Sequence, residues 1–103
     1  MPITHYSILV SYRDRWSVVT IDTRANQVSV PDTAGGRVCW GGTGASALDS
    51  AAAYNVAHRP GHHWASRAGA VKALARQGLR VWRDEDGDSR VDMAPATGLD
   101  LVD

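Results

Sequence analysis

A chain of 103 residues, 44% hydrophobic and 21% charged, has the make-up of one ordinary globular domain, large enough to bury roughly 65% of its unfolded surface without staples. The single cysteine, Cys39, excludes an internal disulfide. No apolar stretch approaches the ~20 residues that cross a bilayer, and no charged start with a long apolar run marks a leader, so a cytoplasmic protein without a membrane partner is expected.

Eleven Lys and Arg balance eleven Asp and Glu, but the neutral total hides an internal division. In residues 1–49, Arg13, Arg15, Arg24 and Arg37 cancel Asp14, Asp22, Asp32 and Asp49. Residues 50–83 carry Arg59, Arg67, Lys72, Arg76, Arg80 and Arg83 with no acid, which is +6. Residues 84–103 carry seven acids against Arg90 alone, which is −6. Ten Arg to one Lys, ten Asp to one Glu and no Phe are the preferences of G+C-rich codons. They point to a high-G+C bacterium or one of its phages, and they weaken any chemical reading of Arg in place of Lys.

In chain order, His5 to Tyr12 alternates Tyr6, Ile8, Val10 and Tyr12 against Ser7, Leu9 and Ser11, the pattern of a half-buried strand. Arg13-Asp14-Arg15 is a charged turn, and Trp16 to Asp22 returns as the second strand of a hairpin. After the turn Thr23 to Asn26, a third strand at Gln27–Val30 is ended by Pro31, which has no amide hydrogen for a ladder. Arg37 to Trp40 is a short fourth strand before the turn Gly41 to Gly44. Ser46 is placed to cap a helix from Ala47 to Ala57, with Asp49 near its start. The apolar side of that helix, Leu48, Ala52 and Val56, is thin and predicts close packing on the sheet.

Arg59-Pro60-Gly61 breaks the helix. A second helix is predicted from Ala65 to Gln77 and stopped by Gly78. On a 100° wheel Trp64, Ala68, Val71, Leu74 and Ala75 share an arc from which Lys72 and Arg76 point away. Leu79–Arg83, the turn Asp84–Ser89 and Arg90–Met93 form a closing hairpin, and residues 95–103 read as an extended tail. The expected fold is a single α+β domain: an N-terminal antiparallel meander, two packed helices and a C-terminal hairpin, with a single layer of helices on an antiparallel sheet.

Lys72 and Arg76, with Arg67, Arg80 and Arg83 around them, are the candidate partner-binding residues, since clustered cations attract phosphates or an acidic protein surface. The alternative is a solvated face paired with Asp84, Glu85, Asp86 and Asp88, worth little in stability. His58, His62 and His63 with Cys39 offer nitrogen and sulfur donors of the kind zinc prefers, or a general base oriented by Asp49. Pro60 and Gly61 between the histidines keep them off one helical face, so they are weak metal candidates, and no cofactor is expected. Gly41 to Ser46 lacks a phosphate-loop pattern and reads as a tight strand-to-helix connection. Asp84, Asp86 and Asp88 alternate like calcium ligands, but the glycine and glutamate positions of an EF-hand are not met. Cys39, between Val38 and Trp40, reads as a buried strand residue. The four tryptophans stand in for Phe as core units, and any exposed beside arginine would make a stacking or protein-binding surface.

The helix ending at Gly78, the strand to Arg83, the Gly- and Asp-rich turn and the return to Met93 faintly resemble the recognition helix and wing of winged-helix DNA-binding domains. That resemblance covers about half the chain. It implies a DNA-binding regulator whose first helix starts at Ala47, although the wing here is acidic where it would approach phosphate. The expected function is a small non-enzymatic binding or accessory protein contacting an anionic macromolecule, nucleic acid or protein, in a phage or mobile-element setting. A homodimer joining the +6 and −6 halves is a further expectation, and a His-based hydrolase or metal enzyme is the rival.

Overall fold

The computed structural model describes residues 5–92. Its elements are β1 (His5–Tyr12), β2 (Arg15–Asp22), β3 (Gln27–Pro31), β4 (Arg37–Gly41), α1 (Ala45–His58), β5 (His63–Trp64), α2 (Arg67–Arg76), β6 (Arg80–Arg83) and β7 (Ser89–Asp92). All seven strands join one antiparallel sheet in the order β4-β3-β2-β1-β7-β6, with β5 added beside β2. The meander, two helices and closing hairpin expected from the patterning are all present. Met93 and the tail 95–103 lie outside the described residues.

β1 and β2 pair along their whole length, from His5↔Asp22 to Tyr12↔Arg15. Their two-residue turn puts Arg13 at φ 46° and Asp14 at φ 63°. That geometry suits the twist of the strands but is costly for residues bearing a Cβ.

Ile8 and Leu9 are neighbours on β1 and therefore point to opposite faces. Each belongs to a separate buried cluster. On the Ile8 face, Val19, Ile21, Val28 and Val30 pack with Ala47 and Ala51 of α1. On the Leu9 face, Val91 packs with Ala70 and Leu74 of α2, joined by half-buried Trp16, Val18, Trp64 and Leu79. The expected single helical layer thus becomes one helix on each face, α1 over β1 to β4 and α2 over β2, β5 and β6. The cause lies in β1 and β2, which are apolar on both sides at Ile8/Leu9 and Val18/Val19, so each face needs a cover. With the sheet between them, α1 and α2 do not make the helix pair a winged-helix domain requires.

α1 starts at Ala45 with Gly44 as a cap that offers no side chain, so Ser46 lies inside the helix and Asp49 beyond its first turn. It buries Ala47, Ala51, Ala52 and Asn55, leaving Leu48 and Val56 only half-buried. Turning its smallest residues inward brings the helix backbone close to the sheet.

α2 is capped by Ser66, whose Oγ accepts the Gly69 N–H at 3.0 Å. Trp64, counted on the apolar arc of this helix, instead pairs with Trp16 in β5, while Ala68 and Ala75 are exposed and Ala70 takes the buried position. At the far end Gly78 adopts φ +83°, and the N–H groups of Gly78 and Leu79 donate to the carbonyls of Ala75 and Leu74. This is the paired closure that ends a helix at a glycine and folds the next apolar residue, Leu79, back onto the core.

The outer edge of β2 is shared between β3, at residues 20–22, and β5, at residues 16–17. The β3 register continued by two residues sets Val18 against Pro31, which has no amide hydrogen to donate. Asn55 of α1 takes that role: it is completely buried, and its Nδ2 donates to the Val18 carbonyl at 3.1 Å.

Candidate functional site

Strand alternation decides which of the cations share a surface. Arg83 is opposite Ser89, which is opposite Leu9, so Arg83 faces the α2 side; Arg80 is opposite Asp92 on the other side. Lys72 and Arg76 are exposed on the outer surface of α2, as the wheel predicts. Arg67, at the start of α2, is half-buried and donates from Nε and Nη2 to Ser89 Oγ at 3.1 and 3.0 Å. The α2 side therefore carries Lys72, Arg76 and Arg83, none of which makes an ion pair among the described residues, with Arg67 anchoring the helix to β7.

Arg80 belongs to a different group. Its Nη2 lies 2.6 Å from Asp92 Oδ2, while the Trp82 indole N–H donates to Asp92 Oδ1 at 2.8 Å. Beside them the Arg90 guanidinium sits 3.8 Å from the Tyr6 ring centre and donates from Nε to Asp84 Oδ2 at 3.0 Å. The acidic C-terminal hairpin thus engages Arg80 and Arg90, not the α2 cations. Trp82, 37% exposed, is the tryptophan that stands open beside arginines.

The paired carboxylates are tuned by these contacts. The Trp82 N–H, and after it the Arg80 guanidinium, hold the Asp92 carboxyl below the usual range. Burial works to raise Asp84, but Arg90 and the backbone N–H groups of Asp88 and Asp86 outweigh it, and its net shift is also downward. A carboxyl lowered by folding contributes stability above its unfolded pKa of about 4 and loses it as pH falls through the lowered value. Trp82 fluorescence is therefore expected to change as the pH falls below about 4, and Asp92→Asn to remove that transition. A transition unaltered by the substitution would refute this assignment.

Asp84, Asp86 and Asp88 lie with carboxylate oxygens within 4.8 Å of one another. The turn itself holds Asp84: Oδ1 accepts the N–H groups of Asp86 and Asp88, and Oδ2 receives Arg90.

The histidines do not gather. His58 lies against Tyr54 with ring centres 4.5 Å apart and planes tilted by 44°, His62 lies in the interhelical turn, and His63 sits in β5 opposite Ser17. Ser17 Oγ and His63 Nδ1 are both buried without a hydrogen-bond partner among the described residues. Ser17 is 0% exposed, out of a substrate's reach. Cys39, expected to be buried, is exposed because β4 is the edge of the sheet and its Leu9-side face carries no helix there; its Sγ accepts Gln27 Nε2 at 3.5 Å.

One grouping escapes any linear motif. A cleft on the α2 side of the sheet is lined by Arg37 from β4, Arg59 and His62 from the interhelical turn, Thr20 from β2 and Gln77 from the end of α2. Only sheet order and the placing of α2 bring these positions together, so the spacing of the residues holds no signal for it. No helix among the described residues is long and apolar enough to cross a membrane. Comparison with protein-family models, curated proteins and solved structures found no match for the chain.

Proposed function

We propose that the protein is a non-enzymatic binding module that holds an acidic surface of a partner protein against the outer side of α2, through Lys72 and Arg76, with Arg83 on the same side of the sheet. One observation carries this reading: these cations stay exposed and without an ion pair among the described residues, although the same chain holds an acidic hairpin that could have neutralised them. A protein partner is favoured over nucleic acid on magnitude. Duplex binders that make about 6–10 phosphate contacts draw most of their affinity from them, whereas the outer side of α2 with Arg83 offers three cations without an ion pair among the described residues, and Glu85, Asp86 and Asp88 stand at the tip of the adjoining hairpin. The same +6 and −6 division supports self-association as the form such a contact takes if the partner is a second copy. The codon-like composition fits an accessory protein of phage or mobile-element type acting on a larger host machine.

The test is affinity capture from a high-G+C bacterial lysate with wild type and with Lys72→Ala/Arg76→Ala, followed by titration of the captured partner. The double variant is expected to weaken the complex by about 1–2 kcal/mol, roughly tenfold, with an unchanged circular dichroism spectrum. Raised salt should weaken the wild-type complex likewise. A mobility shift with duplex DNA, abolished in the same variant, would move the assignment to nucleic acid; a partner bound equally by both proteins would end it.

A further inference from the structure

β4 ends the sheet, and among the described residues no strand pairs with its outer edge. Its ladder to β3 runs without a bulge from Gln27↔Gly41 to Pro31↔Arg37. The Gly42 N–H donates to the Asn26 carbonyl at 2.7 Å and the Asp32 N–H to the Gly36 carbonyl at 3.0 Å, which fixes the phase of that ladder. Val38 and Trp40 therefore direct their backbone groups at β3, while Arg37, Cys39 and Gly41 direct theirs outward. Gly36 and Gly42, at φ +74° and +84°, turn the chain away at either end, so the open edge is 5 residues long.

An unguarded edge is a template for another strand. β6, at the opposite end of the sheet, is 4 residues long and carries exposed Arg80 and Arg83, charges of the kind that keep an edge solitary. β4 has one charge, and Arg37 Nε is turned back over its own sheet to Ser29 Oγ at 2.9 Å. The strand is also complementary to itself. Laid antiparallel on a copy about a twofold axis through Cys39, the register that pairs all 5 residues, it sets Arg37 opposite the copy's Gly41, where no side chain obstructs it. The Arg37–Gly41 and Cys39–Cys39 positions then form hydrogen-bonded pairs, each exchanging two N–H···O bonds. Between them Val38 and Trp40, both half-buried on the α1 side, meet as apolar cross-strand pairs. We propose that β4 pairs with β4 of a second copy, joining two sheets into one continuous antiparallel sheet. This edge lies apart from α2, so the contact does not depend on Lys72 and Arg76.

Gly41 supplies the test. Among the described residues a Cβ placed there meets no atom within 4 Å beyond its chain neighbours, and its φ lies outside the left-handed region. A side chain at this position is therefore accommodated by the monomer and felt by the copy's Arg37. Sedimentation velocity of the full chain over a range of concentrations should show a monomer–dimer equilibrium. Gly41→Lys sets a like-charge pair on either side of the axis and should weaken the dimer about tenfold, while Gly41→Asp, facing the same arginine, should tighten it several-fold. Circular dichroism spectra of both variants should match wild type. A short bis-maleimide should join two chains through exposed Cys39 in wild type and far less in Gly41→Lys, which keeps the cysteine. Lys72→Ala/Arg76→Ala should leave the dimer unchanged, which distinguishes this contact from one between the +6 and −6 parts of two chains. A chain monomeric at every concentration, a folded Gly41→Lys dimer as tight as wild type, or a dimer dispersed by Lys72→Ala/Arg76→Ala would overturn the proposal.

Discussion

Leu74→Ala is expected to destabilise the protein by about 3 kcal/mol, within the usual 2–5 kcal/mol for a buried leucine, and to loosen α2 before any other element. The cluster beneath α2 has four buried members, Leu9, Ala70, Leu74 and Val91, and Leu74 is the largest that the helix itself contributes. A domain of this size has a total stability of about 5–15 kcal/mol. The loss should lower the melting temperature by roughly 12–24 °C, at about 4–8 °C per kcal/mol. Hydrogen exchange should quicken first in the amides of residues 67–76, because α1 rests on a separate cluster across the sheet. Exposed Ala75→Ser supplies the contrast, with a change within about 0.5 kcal/mol. A Leu74→Ala protein as stable as wild type would mean that α2 is not held by this cluster, and the cationic surface it carries would lose its rigid base.

The second large effect is expected at Asn55. Asn55→Ala should cost about 3 kcal/mol, because it removes a hydrogen bond and leaves the Val18 carbonyl unsatisfied in the interior, at about 1–3 kcal/mol, and also removes the bond from Arg59 Nη1 to Asn55 Oδ1. Asn55→Leu should fail to rescue stability although it restores apolar volume, since the carbonyl still lacks a donor. Urea unfolding of both variants measures this, and an Asn55→Leu protein more stable than wild type would show that the bond to Val18 is dispensable.

How far the chain could be read without coordinates differs by element. Period-two alternation placed β1 at His5–Tyr12 without error and β2, β3, β4, β6 and β7 to within a residue or two, it gave no sign of β5, and Gly78 placed the end of α2. The start of α1 was misplaced because Ser46 looks like a cap, whereas the backbone enters the helix through Gly44. Trp64 fitted the apolar arc of α2, yet the edge of β2 left open beyond β3 drew it into a strand instead. Cys39 has apolar chain neighbours and reads as buried, but exposure at a sheet edge depends on which strand ends up outermost.

Amino-acid order by itself determined the element types apart from β5, the antiparallel hairpins and the outward placing of Lys72 and Arg76, because each follows from local periodicity and nearby turn residues. Tertiary structure alone decided that the helices cover opposite faces, that Arg80 is engaged by Asp92 while Arg83 is not, and that Arg37, Arg59 and His62 line one cleft. Those outcomes depend on strand order and cross-strand register, which join positions tens of residues apart through backbone hydrogen bonds and burial that no local pattern encodes.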